Sequence, residues 1–447
     1  MLASLWVARD MSSSNLDRRR FLKYAGTGVV CGAVAGVGGY VIGAQSGVTT
    51  LPSTTAAVTE TITQTATPSE NTIRLGVACD ISGFGGKQTL EGAKLAVKEI
   101  NAMGGVLRRN LELVVEDTRE EQTGATAEDQ IKAATKLVVD DHVNAFIAGF
   151  GTPVNLMSVS ADNKAIYIDP SGADMNVNMK IAADYERYKY VFQATIVNAD
   201  FGIIAADFVS QLAKQMGEKE VAVMGEDLDW VHFNYQYAKP AFEQNGVAVG
   251  ETVFTPVGET DYSAALAKIR ASKARLVYLI YCVANTVPLL KKYSALQLPF
   301  VMAGYDCPSA NLQWWEQTGG ACNYEVPYLP IVQSPLTKRT IPFYEAYNKE
   351  YGATPQYTSA STYSAIYIYA DAVARAGTTD PEALVPALEQ TDLICPTGRN
   401  VFTKDHYLLA GPEYVSIYFS QWQDGKLITV YPEAAAQGSV KLPPWMK

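Results

Sequence analysis

Histidine is scarce in this 447-residue chain. His142, His232 and His406 lie far apart without neighbours at ligand spacing, so no histidine-built metal site is expected. Charge is thin as well. Asp, Glu, Lys and Arg make up 18%, and 46 acids against 36 bases leave a formal charge of −10. A basic footprint for nucleic acid is therefore missing. The chain also lacks a Gly-x-Ser-x-Gly elbow, a phosphate-binding loop, His-Glu-x-x-His and Cys-x-x-Cys. Gly83, Gly85 and Gly86 do not have the spacing of a dinucleotide fingerprint. Neither an enzyme nor a bound cofactor is expected. What the chain does have is apolar and aromatic: 48% hydrophobic and 10% aromatic residues, with 26 Tyr against 14 Phe. That composition, at this length, supports two or three folded domains.

The N-terminus reads as an address. Arg18-Arg19-Arg20-Phe21-Leu22-Lys23 precedes an uncharged run from Tyr24 to Ala44 that is diluted by seven glycines. This looks like a twin-arginine export signal, with Asp17 where Ser or Thr is usual. A start at Met11 would give a shorter leading segment than Met1. Ile42-Gly43-Ala44 offers a cleavage site, while the run is also long enough to serve as a membrane anchor. From Ser46 to Asn71, Thr, Ser, Ala and Pro dominate, a composition that stays extended. A stalk is most useful on something held at the membrane, so a retained anchor is favoured. Without residues 1–44 the exported body carries −13.

From Thr72 the apolar period alternates between strand and helix. Ile73–Ala78, Leu111–Val115, Ala145–Ala148 and Ala165–Ile168 read as strands, with helices near 90–103 and 127–139 between them. A second series holds strands at Val221–Met224, Leu276–Tyr281 and Phe300–Ala303. Its helices lie over 235–244, 263–271 and 287–296. Leu276–Tyr281 is almost wholly apolar, as expected of a strand covered on both faces. The pattern predicts an α/β protein of two doubly wound parallel-sheet lobes.

Ligands of open α/β sheets sit beyond the C-terminal ends of the strands. In the first series those ends are Cys79–Gly86, Gly149–Pro153 and Asp169–Gly172; in the second they are Gly225–Trp230, Cys282–Asn285 and Gly304–Cys307. The first set offers hydroxyls and open amides suited to a carboxylate. The second offers aromatics and acids suited to a stacked ligand body and an ammonium.

Ile73-Arg74-Leu75-Gly76-Val77 with Ser82-Gly83, Glu91 to Asn101 followed by Gly104-Gly105-Val106, Glu116-Asp117-Thr118, Asp261-Tyr262-Ser263, and Tyr363 to Gly377 together resemble the type I periplasmic binding proteins. The likeness covers roughly 72–435 and is strongest to the branched-chain amino-acid (leucine/isoleucine/valine) receptors of ABC importers. The resemblance implies two lobes that close over a small ligand, with hinge crossovers near Thr195, Tyr328 and Leu393. The expected organisation is a signal or anchor over 1–45, a linker over 46–71, lobe 1 over 72–194 and lobe 2 over 195–328. Lobe 1 would resume over 329–392 and lobe 2 over 393–447. It also implies ligand contacts from Phe84, Thr152, Ser171, Gly172, Trp230, Cys282, Tyr305 and Asp306. Thr152 and Ser171-Gly172 would hold the carboxylate, Asp306 the ammonium, and Trp230 would close over the ligand. Cys282 stands where a tyrosine is common, which leaves urea, short amides or aromatic acids as alternatives to a branched-chain amino acid. The implied partners are ABC permease and ATPase subunits. A surface sensor is the rival role, but it would need a further membrane span and an output domain.

Six cysteines remain to be placed. Cys31 lies in the signal region, which leaves an odd number and at least one free thiol. Cys307 and Cys322 bracket a short helical stretch and form the one candidate disulfide. Cys79, Cys282 and Cys395 read as small buried hydrophobes.

Overall fold

The computed structural model describes residues 71–446 apart from 123, 149–152 and 312. The expected export signal and nearly all of the linker fall outside the described residues. Among those described, no helix is long and apolar enough to cross a membrane.

The first sheet is built from β1 (Thr72–Cys79), β2 (Asn110–Asp117), β3 (Ala145–Ala148), β4 (Ile166–Asp169) and β5 (Val191–Gln193). All pairings are parallel, in the order β2-β1-β3-β4-β5. The second sheet begins with β6 (Glu220–Glu226), β7 (Ala248–Thr255), β8 (Leu276–Tyr281), β9 (Val301–Asp306) and β10 (Val326–Leu329). Its order β7-β6-β8-β9-β10 repeats the connectivity of the first. A small hairpin of β11 (Asp392–Cys395) and β12 (Gly398–Val401) joins neither sheet. Last come β13 (Tyr418–Gln423) and β14 (Lys426–Tyr431), which extend the second sheet with antiparallel pairings. The parallel reading of the second lobe thus stops at β10.

Every residue of β8 is buried, with Tyr278 and Ile280 in one core and Val277, Leu279 and Tyr281 in the core on the other face. A strand covered on both sides has no polar face to show, which is why its sequence reads as an unbroken apolar run.

The chain passes between sheets three times: between Gln193 and Asn198, between Leu329 and Thr340, and between Val401 and Tyr418. The third pass runs beside the first, where Gln193 N–H donates to His406 O at 2.7 Å and Leu408 N–H to Thr195 O at 3.1 Å. Leu393 itself lies in the hairpin. After the second pass, helices Thr340–Tyr351 and Tyr357–Ala376 return to the first lobe and pack on helix Phe84–Ala102. The approach there is close, since a Cβ on Gly92 would stand 2.2 Å from Ser359 O.

Candidate functional site

Both sheets reverse their strand order beside the first strand of the lobe, between β1 and β3 and between β6 and β8. The crevices at those reversals are where the fold leaves room for a ligand. At each, a carboxylate occupies the loop that follows.

Asp80 follows β1 and is buried. Its Oδ1 accepts from Ser82 N–H at 3.0 Å, Gly83 N–H at 2.8 Å and Ser82 Oγ at 2.9 Å, and its Oδ2 accepts from Glu121 N–H at 3.1 Å. Burial alone would raise this acid. The hydrogen bonds from Ser82 and Gln122 outweigh it and hold the carboxyl below its ordinary range. Glu121, from the loop after β2, accepts from Gly85 N–H at 3.1 Å and Gly86 N–H at 2.7 Å. It caps helix Phe84–Ala102, whose N-cap residue, Gly83, has no side chain to do so.

The same arrangement ends β4. Asp169 Oδ1 accepts from Ser171 N–H at 3.1 Å and Gly172 N–H at 2.8 Å, while burial pushes the carboxyl up to about 7. In the second lobe Glu226, last residue of β6, accepts from Cys282 N–H at 2.6 Å and Val283 N–H at 2.9 Å. Burial raises this acid too. Amides that sequence reasoning offered to a ligand carboxylate, those of Ser171 and Gly172 above all, are therefore already bound to the protein's own anions.

Aromatic rings form the other wall. Trp230 sits on the first turn of helix Asp229–Gln244, half-buried, 5.3 Å from Tyr305 and 6.0 Å from Phe201 between ring centres. Tyr305 stacks on Tyr328 at 5.1 Å, and Phe201 on Tyr328 at 5.9 Å. Tyr305 also stands near Tyr357, which opens helix Tyr357–Ala376 and so belongs to the first lobe. This approach brings the two lobes together at the mouth of the cleft. A cavity of about 170 Å³ lies next to it, between the second pass and β13, lined by Leu329, Pro330, Tyr344, Gln356, Tyr357 and Ser420.

Of the residues expected to meet a ligand, Trp230, Cys282 and Tyr305 come together on the second lobe, where Cys282 packs against the same core. Phe84 is 50% exposed at the start of its helix. Ser171 and Gly172 are placed as described above. Thr152 falls outside the described residues. Asp306 departs from expectation: it is fully buried, and both its carboxylate oxygens accept from Thr286 Oγ1 at 2.9 and 2.8 Å. A carboxyl so enclosed is engaged inside the second lobe rather than open at a strand end. The expected Cys307–Cys322 bridge is also not formed, and both cysteines are free. Cys307 packs against the core that holds Tyr305, whereas Cys322 is buried with Trp314 and Trp422 in the core on the opposite face of the sheet.

Sequence reasoning missed Phe201, Glu121, Glu325, Tyr328 and Tyr357. Tyr328 was visible only as a crossover position. The sequence offers a helical stretch from Tyr363 to Gly377, whereas the helix opens at Tyr357, a residue that nothing local places against the other lobe.

Charge at the mouth is one-sided. Segments 79–83, 117–122, 169–174, 226–230, 282–286 and 306–310 carry ten carboxylates and one cation, Arg119; Asp80, Asp169, Glu226 and Asp306 are buried, which leaves six acids against that cation at the surface. Such a surface suits a ligand with an ammonium better than one with only a negative group.

Comparison with known proteins agrees with this architecture. The family described as "Periplasmic binding protein" matches residues 72–426. A Leu/Ile/Val-binding protein homolog 7 from Brucella melitensis is 24% identical over 400 residues, covering 85% of this chain and 96% of that protein. Among solved structures, the branched-chain amino acid transporter substrate binding protein of Streptococcus pneumoniae in complex with isoleucine superposes with a TM-score of 0.68 at 20% identity. The match covers 83% of this chain and all of that one. A solute binding protein of an ABC transporter from R. palustris, in complex with benzoate, gives 0.67 at 17% identity, over 82% and 98% of the two chains.

Proposed function

The chain belongs to the periplasmic binding protein family, and from that premise we propose that it is the extracytoplasmic solute-binding subunit of an ABC importer. Its ligand is a zwitterionic amino acid, with the branched-chain class first. Closure of the two lobes carries the ligand to a permease and its ATPase. The twin-arginine segment directs export, and the retained anchor over 1–45 with its linker keeps the body at the membrane surface.

One observation carries the ligand class: an aromatic wall of Trp230 and Tyr305 beside strand ends whose unburied charges are six carboxylates and one cation. An aliphatic side chain lies against the rings, and the ammonium faces the acids. Phe84 covers the ligand from the first lobe. Thr152 holds its carboxylate, since the amides of Ser171 and Gly172 are engaged by Asp169.

An aromatic acid is the second reading, favoured by the same ring wall and by the benzoate in the R. palustris protein. Benzoate would bring an anion to an acidic mouth with no ammonium to offset it. It ranks second for that reason.

Thermal unfolding of the full chain with leucine, isoleucine, valine, benzoate and urea tests this order. A ligand at a hundredfold excess over its Kd adds about 2.7 kcal/mol and shifts the midpoint visibly. The expected result is a shift with at least one of the three amino acids and none with benzoate. A shift with benzoate or urea alone overturns the amino-acid reading.

A further inference from the structure

Cys282 and Cys307 are neighbours that the sequence conceals. Twenty-five positions separate them, yet each directly follows one member of the paired residues Tyr281 and Asp306 on adjacent parallel strands. Adjacent strands stand about 4.8 Å apart, inside the roughly 4.4–6.8 Å between Cα atoms that a disulfide requires. Each cysteine stands one position past its strand, and both pack half-buried against the same core, on the face opposite that of Tyr281.

Both cysteines also act electrostatically on Tyr305 and Tyr357 of the ring wall, and Cys307 on Cys282. Cys79, Cys322 and Cys395 are buried, the last two away from this wall.

We propose that Cys282 and Cys307 are an oxidisable dithiol that closes to a disulfide across the ends of β8 and β9. The oxidant is itself a disulfide, either a small molecule or an extracytoplasmic dithiol oxidoreductase. One cysteine thiolate attacks that disulfide, forming a mixed disulfide and releasing one thiol. The second cysteine then attacks the mixed bond and releases the other. Two S–H groups of the protein are lost, one S–S bond forms, and the oxidant is reduced to two thiols. Burial makes both thiols weak acids, so exchange is slow in the folded protein and depends on opening of the wall.

The test is peptide mapping. The full chain is held with oxidised glutathione under native conditions, then denatured and alkylated. The expected product is a peptide pair joined through Cys282 and Cys307, with Cys79, Cys322 and Cys395 alkylated. Cys322→Ser keeps that link and Cys282→Ser abolishes it. Full alkylation of both cysteines, a glutathione adduct stalled on one of them, or a link from Cys307 to Cys322 overturns the proposal.

Discussion

Asp306 and Glu325 meet carboxyl to carboxyl inside the second lobe, hydrogen-bonded side chain to side chain. Thr286 Oγ1 donates to Asp306, and Trp314 Nε1 donates to Glu325 Oε2 at 3.2 Å. No cation is among the groups acting on either carboxyl; Glu226 adds a further negative charge near Asp306. Two acids so enclosed cannot both ionise, and the pair keeps a proton that two separate carboxyls would lose.

That proton sets a pH dependence. Burial, first, and then the mutual repulsion of the pair raise Glu325 well above the usual carboxylate range; burial raises Asp306 too. Asp169 and Glu120 are likewise pushed up to about 7 by burial. In the unfolded chain all four ionise near 4, so the folded protein binds more protons between about pH 4 and pH 7. Stability is therefore full at the acidic end and falls as pH rises through this window. Glu325→Gln preserves the hydrogen bonds and removes the shared proton. Thermal unfolding across pH 4 to 8 should show a decline in wild type of about 1–3 kcal/mol and a shallower one in the variant. Equal slopes would sink the idea.

The packing between helix Phe84–Ala102 and helix Tyr357–Ala376 makes a second prediction. A methyl on Gly92 would stand 2.2 Å from the carbonyl oxygen of Ser359, and backbone cannot yield as a flexible side chain does. Gly92→Ala should lower stability by about 1–3 kcal/mol despite the better helix propensity of alanine. Chemical denaturation measures it, and an unchanged or raised midpoint would mean that the two helices separate without cost.

How much of this was legible beforehand follows from the range of the forces involved. Strands β3 and β8 were read to the residue because a strand buried on both faces is a contiguous apolar run. The twofold use of one strand order was legible as a repeated alternation. Short β5 and β7, whose apolar residues are interrupted by Gly250, Glu251 and Thr252, were missed, since neither carries such a run. The site fared worse. Asp306 was identified as a strand-end acid, but its burial depends on Glu325 and Thr286, each about twenty residues away. Ser171 and Gly172 read as open amides in the loop Asp169–Gly172, because nothing in the sequence says that Asp169 of that same loop folds back to accept from them. Strand-end position is local information; what occupies the amides and carboxyls there is not.

That difference separates two residues that the resemblance placed at the ligand, one as lid and one as ammonium partner. Trp230 is half-buried with ring contacts on Phe201 and Tyr305 and remains partly open to the cleft, whereas Asp306 is wholly enclosed. Trp230→Ala removes apolar contact with the ligand and should weaken leucine binding roughly tenfold or more, about 1.4 kcal/mol or beyond. Asp306→Asn keeps a hydrogen-bonding group beside Glu325 and Thr286, so it should change leucine affinity less than about threefold, while altering the pH profile of unfolding. Calorimetric titration of the two variants with leucine decides the matter. A large loss in Asp306→Asn with wild-type unfolding would return the ammonium contact to Asp306, and unchanged affinity in Trp230→Ala would remove the tryptophan from the ligand wall.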